Sequence, residues 1–251
     1  RAYAQYLHCT ERTENDSCGK CASCISHSKL QHPDLHWVFP FFKKDSSGRS
    51  ISDPFQSTWR EMMLEGAYIG QEEWLNKIGA DKKQLFVSVD EALEINRKLG
   101  LKAFHGGHKV LIFWLPETMR VDTANKLLKL IEEPTDNSVL LFVSQNSDRL
   151  LSTILSRLQR VKIPRLSDDE AAEGLSKISD LSLDQAMGWV HVTEGNITAA
   201  NRLAQSGSET PDLELFSTWM RACWARDAEA MMRQANDFSS PGREAQKRFI
   251  T

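Results

Sequence analysis

Three runs of apolar residues stand out along the chain: Leu85-Phe-Val-Ser-Val89, Lys109-Val-Leu-Ile-Phe-Trp-Leu115 and Val139-Leu-Leu-Phe-Val-Ser144. They are continuous rather than alternating, the character of strands covered on both faces. His36-Trp-Val-Phe39 reads as a fourth strand. Helical patterns lie between the runs. Ser88-Val-Asp-Glu91 has the spacing of a capping box and opens a helix in which Ala92, Ile95 and Leu99 share one face. Asp122 is expected to cap a second helix, with Ala124, Leu127, Leu128 and Ile131 at i, i+3, i+4, i+7. Pro134 ends that helix by disfavouring the helical conformation at Glu133.

Strands alternating with helices predict an α/β fold: a parallel sheet with helices on both sides. After Pro164 the pattern changes. Ser167-Asp-Asp-Glu170 and Ser182-Leu-Asp-Gln185 are capping boxes with no strand pattern after them. A small all-helical domain is therefore expected over 165–207. The polar stretch from Gln205 to Pro211 reads as a linker, and a third, helical region begins beyond it. The segment 41–79 has weak periodicity, and its residues place no site on it. Arg1-Ala-Tyr-Ala-Gln-Tyr-Leu7 reads as the middle of a helix, and Gly242 to Thr251 as the inside of another. Both termini are expected to be cuts within a longer protein.

Bulk properties narrow the function. The chain has 251 residues, 41% of them hydrophobic, enough for a real core, and a net charge of −3. A domain that grips DNA alone is more often basic, because neutralising phosphates dominates such affinity. No apolar run approaches the roughly 18 residues of a membrane span, and no signal peptide is expected.

Four of the five cysteines, Cys9, Cys18, Cys21 and Cys24, fall within sixteen residues. A disulfide scaffold would spread its cysteines along the chain. Two adjacent C-x2-C pairs with a fourth thiol from a helix end suit a closed tetrahedral site for structural zinc, with no open position for water. His27 and His32 follow closely and could substitute as ligands, although four thiols need no help. Cys223, in the helical stretch 219–228, reads as a buried apolar residue.

One further stretch carries a resemblance. Ala124-Asn-Lys-Leu-Leu-Lys-Leu-Ile-Glu-Glu-Pro134 is similar to a signature of bacterial clamp-loader subunits of the AAA+ family. Thr153-Ile-Leu-Ser-Arg-Leu158 resembles their S-R-C motif, with Leu158 where cysteine is usual. The cysteine cluster resembles their zinc module. In family order these imply a nucleotide-binding-like domain over 1–164 with the zinc module at 9–24, a helical lid over 165–207, and the start of a helical collar over 208–251. The stretch Gly242-Arg-Glu-Ala-Gln-Lys resembles the collar of the delta-prime type.

The departures matter as much. A hydrolysing member ends its third strand with Asp-Glu, and this chain has Trp114-Leu115 there. Neither can hold magnesium, a hard cation that wants oxygen ligands, and Trp114 itself reads as a sheet-end core aromatic. Glu117 is expected past the strand end. The lid's G-S-x-R pattern is matched by Gly195-Asn-Ile-Thr198, with Thr198 in the arginine position. Ser144-Gln145, near the position that senses the γ-phosphate in motor subunits, reads as a relic.

The resemblance therefore implies a non-hydrolysing subunit of the DNA polymerase III clamp loader. It would be cytoplasmic and would assemble with motor subunits (tau/gamma) and the delta subunit. Within that complex it would act on the sliding clamp and primer–template DNA, with no membrane partner. Arg157, oriented by Ser156, is implied as an arginine finger projecting into a neighbour's ATP site, where a planar guanidinium stabilises charge on the transferring phosphoryl group. ATP binding by the chain itself stays open. The alternatives are an active motor ATPase, which would need acids at 114–115 and an arginine at 198, and a zinc-dependent nucleic-acid module. The latter would need a basic, aromatic surface, whereas Glu11 to Asp16 and Lys20 are mixed in sign.

Overall fold

The computed structural model describes residues 1–43, 49–66, 70–80, 83–104, 107–193, 195–206 and 211–239. Parts of the 205–211 linker, and all of the 242–251 stretch likened to a collar, lie outside the described residues. Two compact units result: Arg1–Ala67 with Trp74–Val161, and Tyr68–Glu73 with Lys162–Thr251.

The first unit is built on a three-stranded parallel sheet, β1 (Leu35–Val38), β2 (Lys109–Trp114) and β3 (Ser138–Val143), in the order β1-β2-β3. Register is set by Leu35 opposite Val110 and Val110 opposite Val139. The central strand β2 is buried at every residue, as its unbroken apolar run requires. Helices α5 (Val89–Gly100) and α6 (Val121–Glu132) cover one face. Val38, Leu111 and Phe113 of the sheet pack there with Ile95 and Leu99 of α5 and Leu127 and Ile131 of α6. The other face packs Leu35, Val110 and Ile112 against Ala4 and Leu7 of α1 (Ala2–His8). Helices thus stand on both sides, the α/β arrangement expected from the alternation.

Three expectations need correction. The run from Leu85 to Val89 is not a strand: Phe86 and Val87 make only isolated bridges, to Phe41 and Met119. Ser88 caps α5 and Val89 already belongs to that helix, which leaves too few residues for a ladder. The capping box there is half formed. Ser88 Oγ accepts from the Glu91 amide at 3.2 Å, but the buried Glu91 carboxylate turns instead to Ser52, accepting from its amide at 2.6 Å and its hydroxyl at 2.8 Å. Asp122 is not the cap of α6. That position is Arg120, and the Asp122 carboxylate accepts locally from the Thr123 amide at 2.9 Å.

Burial pushes the Glu91 carboxyl up, and the two Ser52 bonds oppose that rise. Ser52→Ala removes one of these donors, and an under-satisfied buried carboxylate costs about 1–3 kcal/mol. The expected result is a lower urea midpoint with an unchanged slope.

The segment 41–79, weakly periodic in sequence, supplies an aromatic cluster. It contains η-helical Asp53–Phe55, α3 (Gln56–Glu65) and α4 (Gln71–Lys77). Phe39 stacks on Trp59 at 4.5 Å, Trp59 meets Trp74 edge-on at 5.2 Å, and Trp114 lies 5.1 Å from Trp59. The indole N–H of Trp74 donates to the Pro40 carbonyl at 2.7 Å. Trp114 is therefore a core aromatic, as its position suggested.

His36 on β1 is pushed down from 6.5 to about 4, chiefly by burial, then by Lys98 and Lys109 against the opposing pull of Asp34. The unfolded chain takes up this proton near 6.5, while the folded chain refuses it until about 4. Stability should therefore be lost as pH falls from 6.5 toward 4 and be flat above. In His36→Gln that part of the pH dependence of the urea midpoint should disappear.

In the second unit, α8 (Asp168–Ile178), α9 (Leu183–Val192) and α10 (Ile197–Ser206) bury Ala171, Leu175, Ala186, Val190 and Ile197 together. Here both capping boxes are complete, with Ser167–Glu170 and Ser182–Gln185 exchanging bonds in both directions. Then come α11 (Pro211–Ala225) and α12 (Ala228–Ser239). Cys223 is exposed, contrary to expectation. Arg226, with φ of 53°, turns the chain between two helices, so 219–228 is not one continuous helix with a single buried stripe. Among the described residues no helix is long and apolar enough to cross a membrane.

Candidate metal centre and arginine site

The C-terminus of α1 delivers Cys9, and the N-terminus of α2 (Ala22–Ser28) delivers Cys21 as its cap and Cys24 in its first turn. Between them the chain turns at Gly19, whose φ of 71° suits glycine, and presents Cys18. The four sulfurs lie within 4.8 Å of one another. Cys9 and Cys21 are 4.0 Å apart, as are Cys18 and Cys24. These separations are twice a disulfide length but close to the edge, about 3.8 Å, of a tetrahedron with zinc–sulfur bonds near 2.3 Å. Backbone amides face the sulfurs: Cys18 N–H donates to Cys9 Sγ at 3.3 Å, Cys21 N–H to Cys18 Sγ at 3.3 Å, and Cys24 N–H to Cys21 Sγ at 3.5 Å. Such bonds favour thiolate. The amide of Cys24 holds Cys21 down at about 5, and the amide of Cys18 lowers Cys9, whereas burial pushes Cys24 up to about 12. The donor set fits a soft or borderline divalent cation.

His27 and His32 do not join the thiols. They gather with His8, and one ring nitrogen from each of the three lies within 4.8 Å of the others. Sequence reasoning missed this cluster, because His8 comes from a different helix and its other partner is the carbonyl of His108.

Around β2 the positions 114 and 115 are both buried, and Leu115 sits in the left-handed region at φ 53°. Glu117 lies past the strand end, in the 3-10 turn Pro116–Thr118. Its Oε1 accepts from the amides of Gln145 at 3.0 Å and Asn146 at 3.2 Å, tying that turn to the loop after β3. In the second unit Thr198 is in the first turn of α10, and Asn196 Oδ1 accepts from the Ala199 amide at 3.1 Å.

Arg157 follows α7 (Ser152–Leu155). Its Nε and Nη2 reach the Glu132 carboxylate at the end of α6, and its Nη1 donates to the Thr153 carbonyl at 2.8 Å and to Ser156 Oγ at 3.3 Å. Its side chain is one-third exposed, against 45% for Glu132. The guanidinium is thus held at the surface by partners on its own chain.

The family described as "DNA polymerase III, delta subunit" matches residues 1–167, which contain the cysteine cluster, the sheet and Arg157. A DNA polymerase III subunit delta' of Haemophilus influenzae is 24% identical over 89% of this chain and 54% of its own length. That of Escherichia coli K12 is 25% identical over 81% of this chain and 49% of its own length. A third, from Pseudomonas aeruginosa, is 35% identical over 38% of this chain and 33% of its own length. The chain spans about half the length of the first and second of these curated relatives and a third of the last. The match covers the α/β unit that holds the cysteines, the three histidines, Glu117 and Arg157, and the chain belongs to the DNA polymerase III delta subunit family.

Proposed function

We propose that the chain is part of a non-hydrolysing clamp-loader subunit of DNA polymerase III. In this reading 1–164 is a nucleotide-binding-like AAA+ domain, 165–207 a lid, and 208–251 the start of a collar. The observation that carries it is the end of β2. Where a hydrolysing relative has Asp-Glu, Trp114 and Leu115 are 9% and 1% exposed, apolar and packed into the sheet end. No oxygen ligand for magnesium stands there. Glu117 stands past the strand end in the 3-10 turn, where its Oε1 ties that turn to the loop after β3.

With its own chemistry lost, the subunit acts on a neighbour. It assembles with tau/gamma motor subunits and the delta subunit in the cytoplasm. Arg157 leaves Glu132 for the phosphates of the adjacent motor's ATP, and the assembled ring loads the sliding clamp onto primer–template DNA. Exchange of one oxyanion for another suits the fork of a guanidinium, which pairs equally with carboxylate and phosphate. Cys9, Cys18, Cys21 and Cys24 hold zinc, which supplies cross-linking of α1 to α2 and no open coordination position. The test is ATP hydrolysis by a loader reconstituted around the full-length protein. Hydrolysis by the isolated subunit would overturn the reading, whereas a rate set by Arg157 in trans would support it.

A further inference from the structure

Three imidazoles are packed together beside the thiol cluster. His8 ends α1, His27 lies in α2, and His32 precedes β1. His27 and His32 are 0% and 5% exposed. Burying polar rings costs free energy unless their nitrogens are used, so the hydrogen-bond roles matter.

They can be assigned from the geometry. His8 Nε2 is 2.7 Å from the His108 carbonyl oxygen, which only accepts, so Nε2 carries the proton and Nδ1 is a bare lone pair. That lone pair faces His27 Nε2 at 2.7 Å, so His27 donates from Nε2. The Nδ1 of His27 is then an unprotonated acceptor, buried and without a partner. His32 Nδ1 accepts from the Asp34 amide at 3.2 Å. Histidines that bind metals characteristically donate their other N–H to a backbone carbonyl or carboxylate, which fixes the tautomer that presents the lone pair. His8 does this toward His108.

We propose that His8, His27 and His32 form a second metal site, for a borderline divalent cation such as zinc or cobalt(II), separate from the four thiolates. His8 Nδ1 and His27 Nε2 are its converging pair. The ion displaces the proton that His27 Nε2 now donates, and that proton is taken up at the unprotonated Nδ1 of the same ring, so both ligands bind as neutral imidazoles. Two nitrogens on a tetrahedral ion with bonds of 2.0–2.1 Å are about 3.3 Å apart, so this pair opens by roughly 0.6 Å on loading. His32 stacks on His8 with centroids 4.1 Å apart and planes 9° from parallel. In-plane lone pairs of parallel rings do not meet, so His32 tilts out of the stack to become the third ligand. Three nitrogens leave a fourth position for water or another donor, unlike the closed thiolate site. Nothing in this site depends on clamp loading.

The test uses full-length protein whose thiolate site is filled with zinc, then equilibrated with cobalt(II) alone. Elemental analysis should find a second metal per chain, with cobalt d–d absorption and no thiolate charge-transfer band. His8→Phe keeps a ring face to stack on His32 and removes both nitrogens. It should lose the cobalt and keep the zinc, and His27→Gln should do the same. Should His27→Gln fail to fold, the half-buried His8→Phe decides alone. A wild-type protein that takes up no second metal, or cobalt retained by His8→Phe, would overturn the site.

Discussion

In a reconstituted clamp loader, Arg157→Ala is expected to lower DNA- and clamp-stimulated ATP hydrolysis by tenfold or more while leaving assembly intact. Fingers of this kind contribute about 10³–10⁵ in rate, so tenfold is a floor for a ring in which other motor sites still turn over. The competing account is that Arg157 is an ordinary surface residue paired with Glu132. A pair this exposed contributes about 0–1 kcal/mol to stability, and its loss should leave the fold, the zinc content and the rate alike unchanged. Arg157→Lys separates the two accounts further. Lysine keeps the charge and can still reach Glu132, but it lacks the planar fork. A finger should therefore be poorly rescued by lysine, and a surface ion pair fully rescued. Glu132→Gln adds a third constraint. If the carboxylate merely holds the guanidinium until a phosphate replaces it, the rate should survive its removal, whereas Arg157→Ala should stay slow in either background. An unchanged rate in Arg157→Ala would leave the protein as an assembly scaffold.

The parts of this structure legible in sequence are those whose causes are local. The four cysteines lie within sixteen residues, so their spacing alone brings the thiols together. Ser167 and Ser182 cap their helices with partners three residues away, both exposed and free to reciprocate. Ser88 has the same spacing, but Glu91 is buried and meets Ser52, thirty-nine positions distant, which the spacing cannot show. The apolar run 85–89 has strand composition, yet the cap at Ser88 claims its end for α5. Tertiary contacts likewise decide the aromatic cluster, where Phe39, Trp59 and Trp74 follow no helical or strand period and meet only after folding. The count of aromatics in 37–74 was the one available signal. The histidine cluster escaped although His8, His27 and His32 are near in sequence, because the packing of α1 beside α2, and not a ligand spacing, brings His8 to the other two. Arg157 is singled out only by resemblance to a motif, and its hold on Glu132 depends on where α6 ends relative to α7.

Replacing Cys21 with serine should strip the thiolate site of zinc and melt the segment that precedes β1. Serine is a better N-cap than cysteine, so the cap of α2, where Cys21 Sγ accepts from Cys24, should if anything improve. Any loss of structure would then trace to the proposed ion and not to the cap. Closed zinc sites contribute on the order of 10 kcal/mol or more to local folding. The segment they hold here has little else, since 9–21 contains no helix or strand and its bonds run mostly among its own residues and the sulfurs. The sheet core around Phe113 and Leu127 lies elsewhere and should stay cooperative. The expected pattern is zinc content near zero, rapid hydrogen exchange and proteolysis confined to residues 9–34, with α1 still held on the sheet through Ala4 and Leu7, and an unfolding transition of the remainder that is little changed. The exposed Cys223→Ser should do none of this. Full zinc content in Cys21→Ser would show that Cys21 is not a ligand. Loss of ring assembly with residues 9–34 still protected would instead make the module a contact surface for another subunit. Local melting with normal loader activity would confine zinc to structural support, because a site closed by four sulfurs has no position left at which to do chemistry.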